Sequence, residues 1–229
     1  MRDREPKLVG ERTIARIAKI LAARGVDPTA IPADDTPEPI PALEAAEARI
    51  PARYRRAIAD HPQVVAWVRA VAEAGRRGPG GVPGIAQGSS LLIVGTTGTG
   101  KTHQAYGALR SLIGAGVRLR WQATTAADLY AHLRPRPGVD SERELMAMAR
   151  CPLLILDDLG AAKSSEWTEE LTYRLVNHRY NELLPTLITT NLSIRDLRDA
   201  VGDRVASRLA EMTERVILTG ADRRRGHTA

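Results

Sequence analysis

Residues 95–102, Gly-Thr-Thr-Gly-Thr-Gly-Lys-Thr, match the pattern G-x-x-x-x-G-K-[ST] at every fixed position, and the apolar run 91–94 stands directly before them. A glycine-rich turn from strand to helix points successive backbone N–H groups inward, where they are donors for phosphate oxygens. Gly95, Gly98 and Gly100 keep that path clear of side chains. Lys101 is placed to reach the β- and γ-phosphates and the Thr102 hydroxyl to ligate Mg²⁺. A helix beginning near Lys101 sets the positive end of its dipole under the phosphates. The nucleotide-binding set is therefore Gly95, Thr96, Thr97, Gly98, Thr99, Gly100, Lys101 and Thr102, with His103 after them, and the expected ligands are ATP and Mg²⁺.

Three further motifs place polar groups at the ends of apolar runs. In 153–158, Leu-Leu-Ile-Leu-Asp-Asp, a buried strand would deliver Asp157 beside the Mg²⁺ bound by Thr102, with Asp158 set to orient or deprotonate the attacking water. Aspartates ending a strand are often only turn formers; the upstream phosphate loop favours the chemical role. Thr189-Thr190-Asn191 ends another strand, and the Asn191 amide can hydrogen-bond the γ-phosphate or the lytic water. Asn191 can instead cap the helix that starts after Leu192. Arg204 and Arg208, four apart, share a helical face. They form either an ordinary basic stripe, with Glu211 near Arg208, or, in an oligomer, a guanidinium for a neighbouring subunit's γ-phosphate, worth roughly 10³ to 10⁵ in rate in known cases. The catalytic candidates are thus Lys101, Asp157, Asp158, Asn191, Arg208 and Arg204.

Positioning these groups requires strands that end where helices begin. Strands are expected over 91–94, 117–123, 153–157, 186–190 and 215–218, with helical stretches between, which is the pattern of an α/β fold with a five-stranded parallel sheet between helices. In such a sheet the loops that bind ligand gather at the carboxyl ends of the strands. The core is expected over 91–220, a Gly/Pro-rich linker over 75–90, a helical N-terminal region over 1–74 with a Pro-rich linker at 27–41, and a basic tail over 221–229. Within 1–74 the readings are an amphipathic basic helix over 13–24, then helical stretches over 42–50, 51–58 and 64–71. The first of these either contacts a partner or DNA, or packs on its own domain.

Composition narrows the setting. With one cysteine, Cys151, no internal disulfide forms, and no apolar run approaches a secretory signal or a membrane span, so a soluble cytoplasmic protein is expected. The net charge of +6 favours nucleic acid, yet almost all of it is arginine, with lysine only at 7, 19, 101 and 163, and phenylalanine is absent. That profile is the codon bias of a high-GC genome, so arginine abundance carries no weight of its own.

The ordered set Gly-Thr-Gly-Lys-Thr-His, Leu-Leu-Ile-Leu-Asp-Asp-Leu-Gly, Thr-Thr-Asn-Leu and Gly-Asp-Arg-Val-Ala-Ser-Arg-Leu resembles the DnaC/IstB family of AAA+ ATPases, with Ile50-Pro51-Ala52-Arg53-Tyr54-Arg55 similar to the segment that leads into its core. The resemblance spans about Pro51 to Arg225. It implies a lidless AAA+ P-loop core, Asn191 as first sensor and Arg208 as the finger acting in trans, with Arg204 beside it. Most AAA+ proteins carry Glu where this chain has Asp158; this branch also uses Asp, which implies slow hydrolysis. Few residues follow Gly220, in keeping with the lidless form; Arg223, Arg224 and Arg225 read as a frayed basic tail.

The same resemblance implies the partners. The DnaC side loads a hexameric replicative helicase onto single-stranded DNA through an N-terminal grip and an ATP-dependent homo-oligomer; the IstB side serves a transposase. A nucleotide-gated DNA-binding adaptor with little turnover is the alternative outside enzymes. Arg134, Arg143 and Arg150, on helical stretches 125–134 and 141–150, and Arg136, in the joint between them, are either phosphate contacts or solvated surface. With aromatic residues scarce, backbone contact without base preference is expected.

Overall fold

The computed structural model describes residues 45, 48–76, 84–85, 87–117 and 119–220. The readings for 13–24, 27–41 and 221–229, and parts of those for 42–50 and 75–90, lie outside them. Five parallel strands, β1 (Ser90–Gly95), β2 (Trp121–Thr125), β3 (Leu153–Asp157), β4 (Thr186–Thr190) and β5 (Thr213–Leu218), form one sheet in the order β2-β3-β4-β1-β5. The helices are α1 (Pro62–Arg76), α2 (Lys101–Gly114), α3 (Ala126–Leu133), α4 (Ser141–Ala149), α5 (Glu166–Asn181), α6 (Ile194–Val201) and α7 (Asp203–Met212).

The continuous apolar runs mark the central strands, because a strand covered on both faces has no solvent side. Alternate residues divide between two cores: Leu91, Ile93, Leu153, Ile155 and Leu187 face α1 and α2, while Leu92, Leu154, Leu156 and Ile188 face the cluster of α3 to α7. The edge strands β2 and β5 are less covered, and Ile217 of β5 is largely exposed. Strand β2 starts at Trp121 rather than Val117, since its pairing with β3 begins at Trp121 opposite Leu153. Val117 is buried ahead of the strand. Strands β1 and β5 extend past their apolar runs because Ser90 pairs with Thr213 and Gly95 with Leu218.

Helix α1 changes the domain boundary. The helix runs through residue 74, where the N-terminal region was expected to end, and its Val64, Trp67, Val68 and Val71 lie in the same core as β1 and α2. Trp67 is buried, with its indole N–H donating to Ser89 O at 2.9 Å.

The stretch expected to be helical over 51–58 instead makes one 3₁₀ turn, Ala52–Tyr54, and then runs irregularly across α2. Side chains of α2 take over its backbone polar groups. Gln104 accepts from the N–H groups of Asp60 and His61, His103 from that of Ile58, and Arg110 donates to Ala57 O. The Tyr54 ring stacks on Tyr106 at 5.0 Å. A Cβ on Gly107 would stand 2.3 Å from Ala59 N, so only glycine lets the two backbones approach.

At the amino end of the sheet, Arg179 of α5 is buried and donates to the carbonyls of Met148, Ala149, Cys151 and Pro185 and to the Thr186 hydroxyl. Burial among these neutral acceptors lowers its pKa to about 10.

Because α1 belongs to the core of the sheet, Trp67→Ala should destabilise that core by about 3–5 kcal/mol, read as a lower urea midpoint for the whole unfolding transition. A separate, earlier transition would mean that α1 unfolds as an independent unit.

Candidate functional site

Strand β1 ends in the loop 95–100, and α2 begins on Gly100, which has φ 93° and offers no side-chain cap. Helices α3, α4, α5 and α6, by contrast, are capped by the side chains of Thr125, Asp140, Ser165 and Ser193. The first N–H groups of α2 therefore face a cleft of about 560 Å³ without a side-chain acceptor. Gly98, at φ 87°, and Gly100 occupy the left-handed region that glycine alone adopts without strain. Gly95 is constrained differently: a Cβ there would lie 2.7 Å from both Leu218 O and Thr99 Oγ1.

The nucleotide-binding candidates separate into two layers. Thr97, Gly98, Gly100, Lys101, Thr102 and His103 line the cleft. Gly95, Thr96 and Thr99 shape the loop from behind, with Thr99 buried and its hydroxyl on Thr96 O at 2.9 Å. Lys101 is only 6% exposed, and its ammonium donates to the same Thr96 carbonyl at 3.0 Å.

Asp157 ends β3, with the Thr102 hydroxyl 3.0 Å from each of its carboxylate oxygens. Burial holds its carboxyl above the usual carboxylate range. The Asp158 charge pushes the same way, against the hydrogen bonds from Thr189 and Thr102 and the charge of Lys101. Asp158 turns the chain with φ 53°, an uncommon conformation for a non-glycine residue, and lines the cleft. Asn191, just past β4, is exposed and lines it too. It does not cap α6; Ser193 does, accepting from Asp196 N–H at 3.1 Å. Arg53 and Tyr54 complete the cleft from the segment laid over α2.

Thr189 is the site residue that the sequence reading left without a role. Fully buried in β4, its hydroxyl donates to Asp157 Oδ1 and accepts from the Asp158 backbone N–H at 2.9 Å. Its carbonyl accepts from Leu159 N–H at 2.8 Å, and the Thr190 hydroxyl donates to Leu159 O at 2.8 Å. The only sequence signal was the pair of hydroxyl residues ahead of Asn191, at positions that an all-apolar buried strand would fill with aliphatics.

Arg204 and Arg208 do not line the nucleotide cleft of their own chain. They lie on α7 against α5, where both guanidinium groups face the Tyr173 ring, at 4.5 and 4.8 Å from its centroid. The four arginines weighed as phosphate contacts are also divided. Arg134 lines a cleft with Tyr130, Lys163 and Trp167, Arg136 lines a separate one with Trp121 and Glu144, and Arg143 and Arg150 are exposed.

The donor set suits a nucleoside triphosphate with Mg²⁺. Uncapped N–H groups and a buried lysine would meet the phosphates, while the Thr102 hydroxyl and the Asp157 carboxylate would hold the cation. The IstB-like ATP binding protein family matches residues 82–220, more than half of the chain. The chain belongs to this IstB-like family. Its fold is that of AAA+ P-loop proteins: over 74% of this IstB-like chain it superposes on the whole of a crystal structure of the DnaC helicase loader, with a TM-score of 0.61 and 30% identity. It is 25% identical over 124 residues to the replicative helicase loader DnaC of Escherichia coli K12, covering 53% of this chain and 50% of that one. The IS21 putative ATP-binding protein of Pseudomonas aeruginosa is 26% identical over 125 residues, 55% of this chain and 46% of that one. The chain spans about half the length of the curated relatives it matches. No described helix of the IstB-like chain is long and apolar enough to cross a membrane.

Thr189→Val keeps the shape of the side chain but removes a donor from Asp157 and an acceptor from Asp158 N–H. It should cost about 1–3 kcal/mol in urea unfolding, whereas Thr189→Ser, which retains the hydroxyl, should stay closer to wild type.

Proposed function

We propose that this chain is an ATPase that, in its ATP-bound assembly, helps place a replicative helicase on single-stranded DNA. The observation that carries the ATPase reading is the convergence on one cleft of Lys101, Thr102, Asp158 and Asn191, with Asp157 bonded to Thr102 behind them. Lys101 exchanges its Thr96 carbonyl for phosphate oxygens, and the first turn of α2 supplies N–H donors. Thr102 and Asp157 would hold Mg²⁺, which would supply charge neutralisation at the phosphoryl oxygens. Asp158 orients the attacking water and takes its proton, the Asn191 amide fixes the water or the terminal phosphate, and Arg208 of a second copy approaches from outside. Arg53 and Tyr54 complete the wall of the same cleft.

The loader reading draws on similarity to helicase loaders in sequence and in structure. A second reading, an ATPase helper of a transposase, is supported by the IS21 relative and the matching family. For DNA, the cleft of Tyr130, Trp167, Arg134 and Lys163 combines two rings, 6.4 Å apart and edge-to-face, with two cations. That is the mixture of stacking and phosphate contact that single strands require. It opens beside the loop that leaves Asp158 toward α5, so a strand bound there neighbours the acidic motif.

Size-exclusion chromatography of the full chain with its host's replicative helicase separates the two partner readings. Co-elution that depends on ATP and is lost in Lys101→Ala is the loader outcome; no association in any nucleotide state turns the choice to a transposase. Asp158→Asn should abolish steady-state ATP hydrolysis, and no difference between mutant and wild type would support a nucleotide-gated adaptor. Trp167→Ala should weaken binding to an oligothymidine by about 1–3 kcal/mol, with affinity falling steeply as salt rises.

A further inference from the structure

Rows of residues on α5 and α7 meet in step. Tyr173, Asn177 and Tyr180 recur at the i, i+4, i+7 spacing of one face of α5, and Arg204, Arg208 and Glu211 do so on α7. Arg208 donates Nε–H to Asn177 Oδ1 at 2.8 Å, Nη1–H to Arg204 O at 2.9 Å and Nη2–H to the Tyr173 hydroxyl at 3.4 Å. Its guanidinium also lies 5.8 Å from the Tyr180 ring centroid. Arg204, more exposed, has its guanidinium 4.5 Å from the Tyr173 centroid. Glu211, the carboxylate expected beside Arg208, instead bonds the Tyr180 hydroxyl.

Every group that holds Arg208 is therefore neutral. Among the described residues, Arg174 pairs with Glu142 and Arg198 with Asp203, yet neither Arg204 nor Arg208 forms an ion pair. A carboxylate partner would fix a guanidinium equally well, but it would cancel the charge and compete with an incoming anion. An amide oxygen, a phenol and a ring face fix the orientation and leave the charge in place. Arginine has five N–H groups; three are used here, which leaves one on each terminal nitrogen for an incoming phosphoryl group.

We propose that Asn177 and Tyr173 are positioning residues that present the Arg208 guanidinium, un-neutralised and pre-oriented, to the terminal phosphate of a nucleotide held by a second copy of this chain. This rests on the ATPase reading above, in which Arg208 acts in trans. The physical content is preorganisation: a long side chain held by neutral contacts loses less rotamer freedom when it meets phosphate.

The test is Asn177→Asp, which preserves shape and acceptor but adds the charge that the site avoids. If Asn177 only supports the fold, the aspartate forms an ion pair with Arg208 and turnover stays at the wild-type level. The proposal expects kcat for ATP to fall about tenfold or more, with KM within about twofold and the melting temperature unchanged or raised. Mixing Asn177→Asp with Lys101→Ala should restore turnover, since the first brings an intact P-loop and the second an intact Arg208 face. Wild-type kcat in Asn177→Asp, or a loss that mixing does not repair, overturns the proposal. Arg208→Ala, measured alongside, tells the two failures apart. If it hydrolyses ATP as wild type does, the reading of Arg208 as a trans-acting group fails; if it loses activity while Asn177→Asp does not, only the positioning role fails.

Discussion

Three strand ends are joined by two hydroxyls and one carboxylate. Thr102, in the first turn after β1, and Thr189, in β4, both bond the Asp157 side chain at the end of β3, and Thr189 also receives the Asp158 N–H. The partners are buried or half-buried, so each depends on the others for its hydrogen bonds, and a buried polar group left unpaired costs more than a typical bond contributes. The sheet order makes this junction possible: β4 lies between β1 and β3, so its tip reaches both the phosphate loop and the acidic turn. The left-handed Asp158 is sustained there because its N–H and the next residue's N–H are both taken by Thr189.

Around that junction the two faces of the sheet do different work. One face carries α1 and α2, with the segment before α1 fastened over α2 so that Arg53 and Tyr54 reach the cleft. The other carries α3 to α7, where the guanidinium groups of Arg204 and Arg208 rest on α5 away from their own nucleotide cleft. The parts expected to act within one chain thus converge on the cleft, and the part expected to act between chains is separate from it.

The central strands were readable because full burial on both faces demands unbroken aliphatic runs, as in 91–94 and 153–156. The edge strand β2 was displaced because its start follows its pairing with β3, which no local apolar pattern records. Helix formation over 51–58 looked plausible from composition, yet the Ile58 N–H is taken by His103, and those of Asp60 and His61 just after it by Gln104, residues more than forty positions away. Lys101, Thr102, Asp158 and Asn191 were legible as candidates because glycine-loop and strand-end patterns are local. Thr189 was not, because a hydroxyl inside a strand declares its purpose only when its two partners are known. The placement of α1 in the core depended likewise on the long-range contacts of Trp67, which the polar linker after it obscured.

The fastening of the segment 57–61 has an unequal division of labour. On that segment the groups engaged are mostly main-chain atoms: the N–H groups of Ile58, Asp60 and His61 and the carbonyl of Ala57. On α2 they are the side chains of His103, Gln104 and Arg110, with Gly107 supplying the space. Main-chain groups survive most substitutions, whereas an amide, an imidazole or the lack of a Cβ does not. Side-chain identity on the strap matters only at the buried Ala57 and Ala59 and at Asp60, whose carboxylate accepts from Gln104, while the helix beneath it is held to particular residues on two sides at once, by the phosphate loop at its start and by the strap along its length.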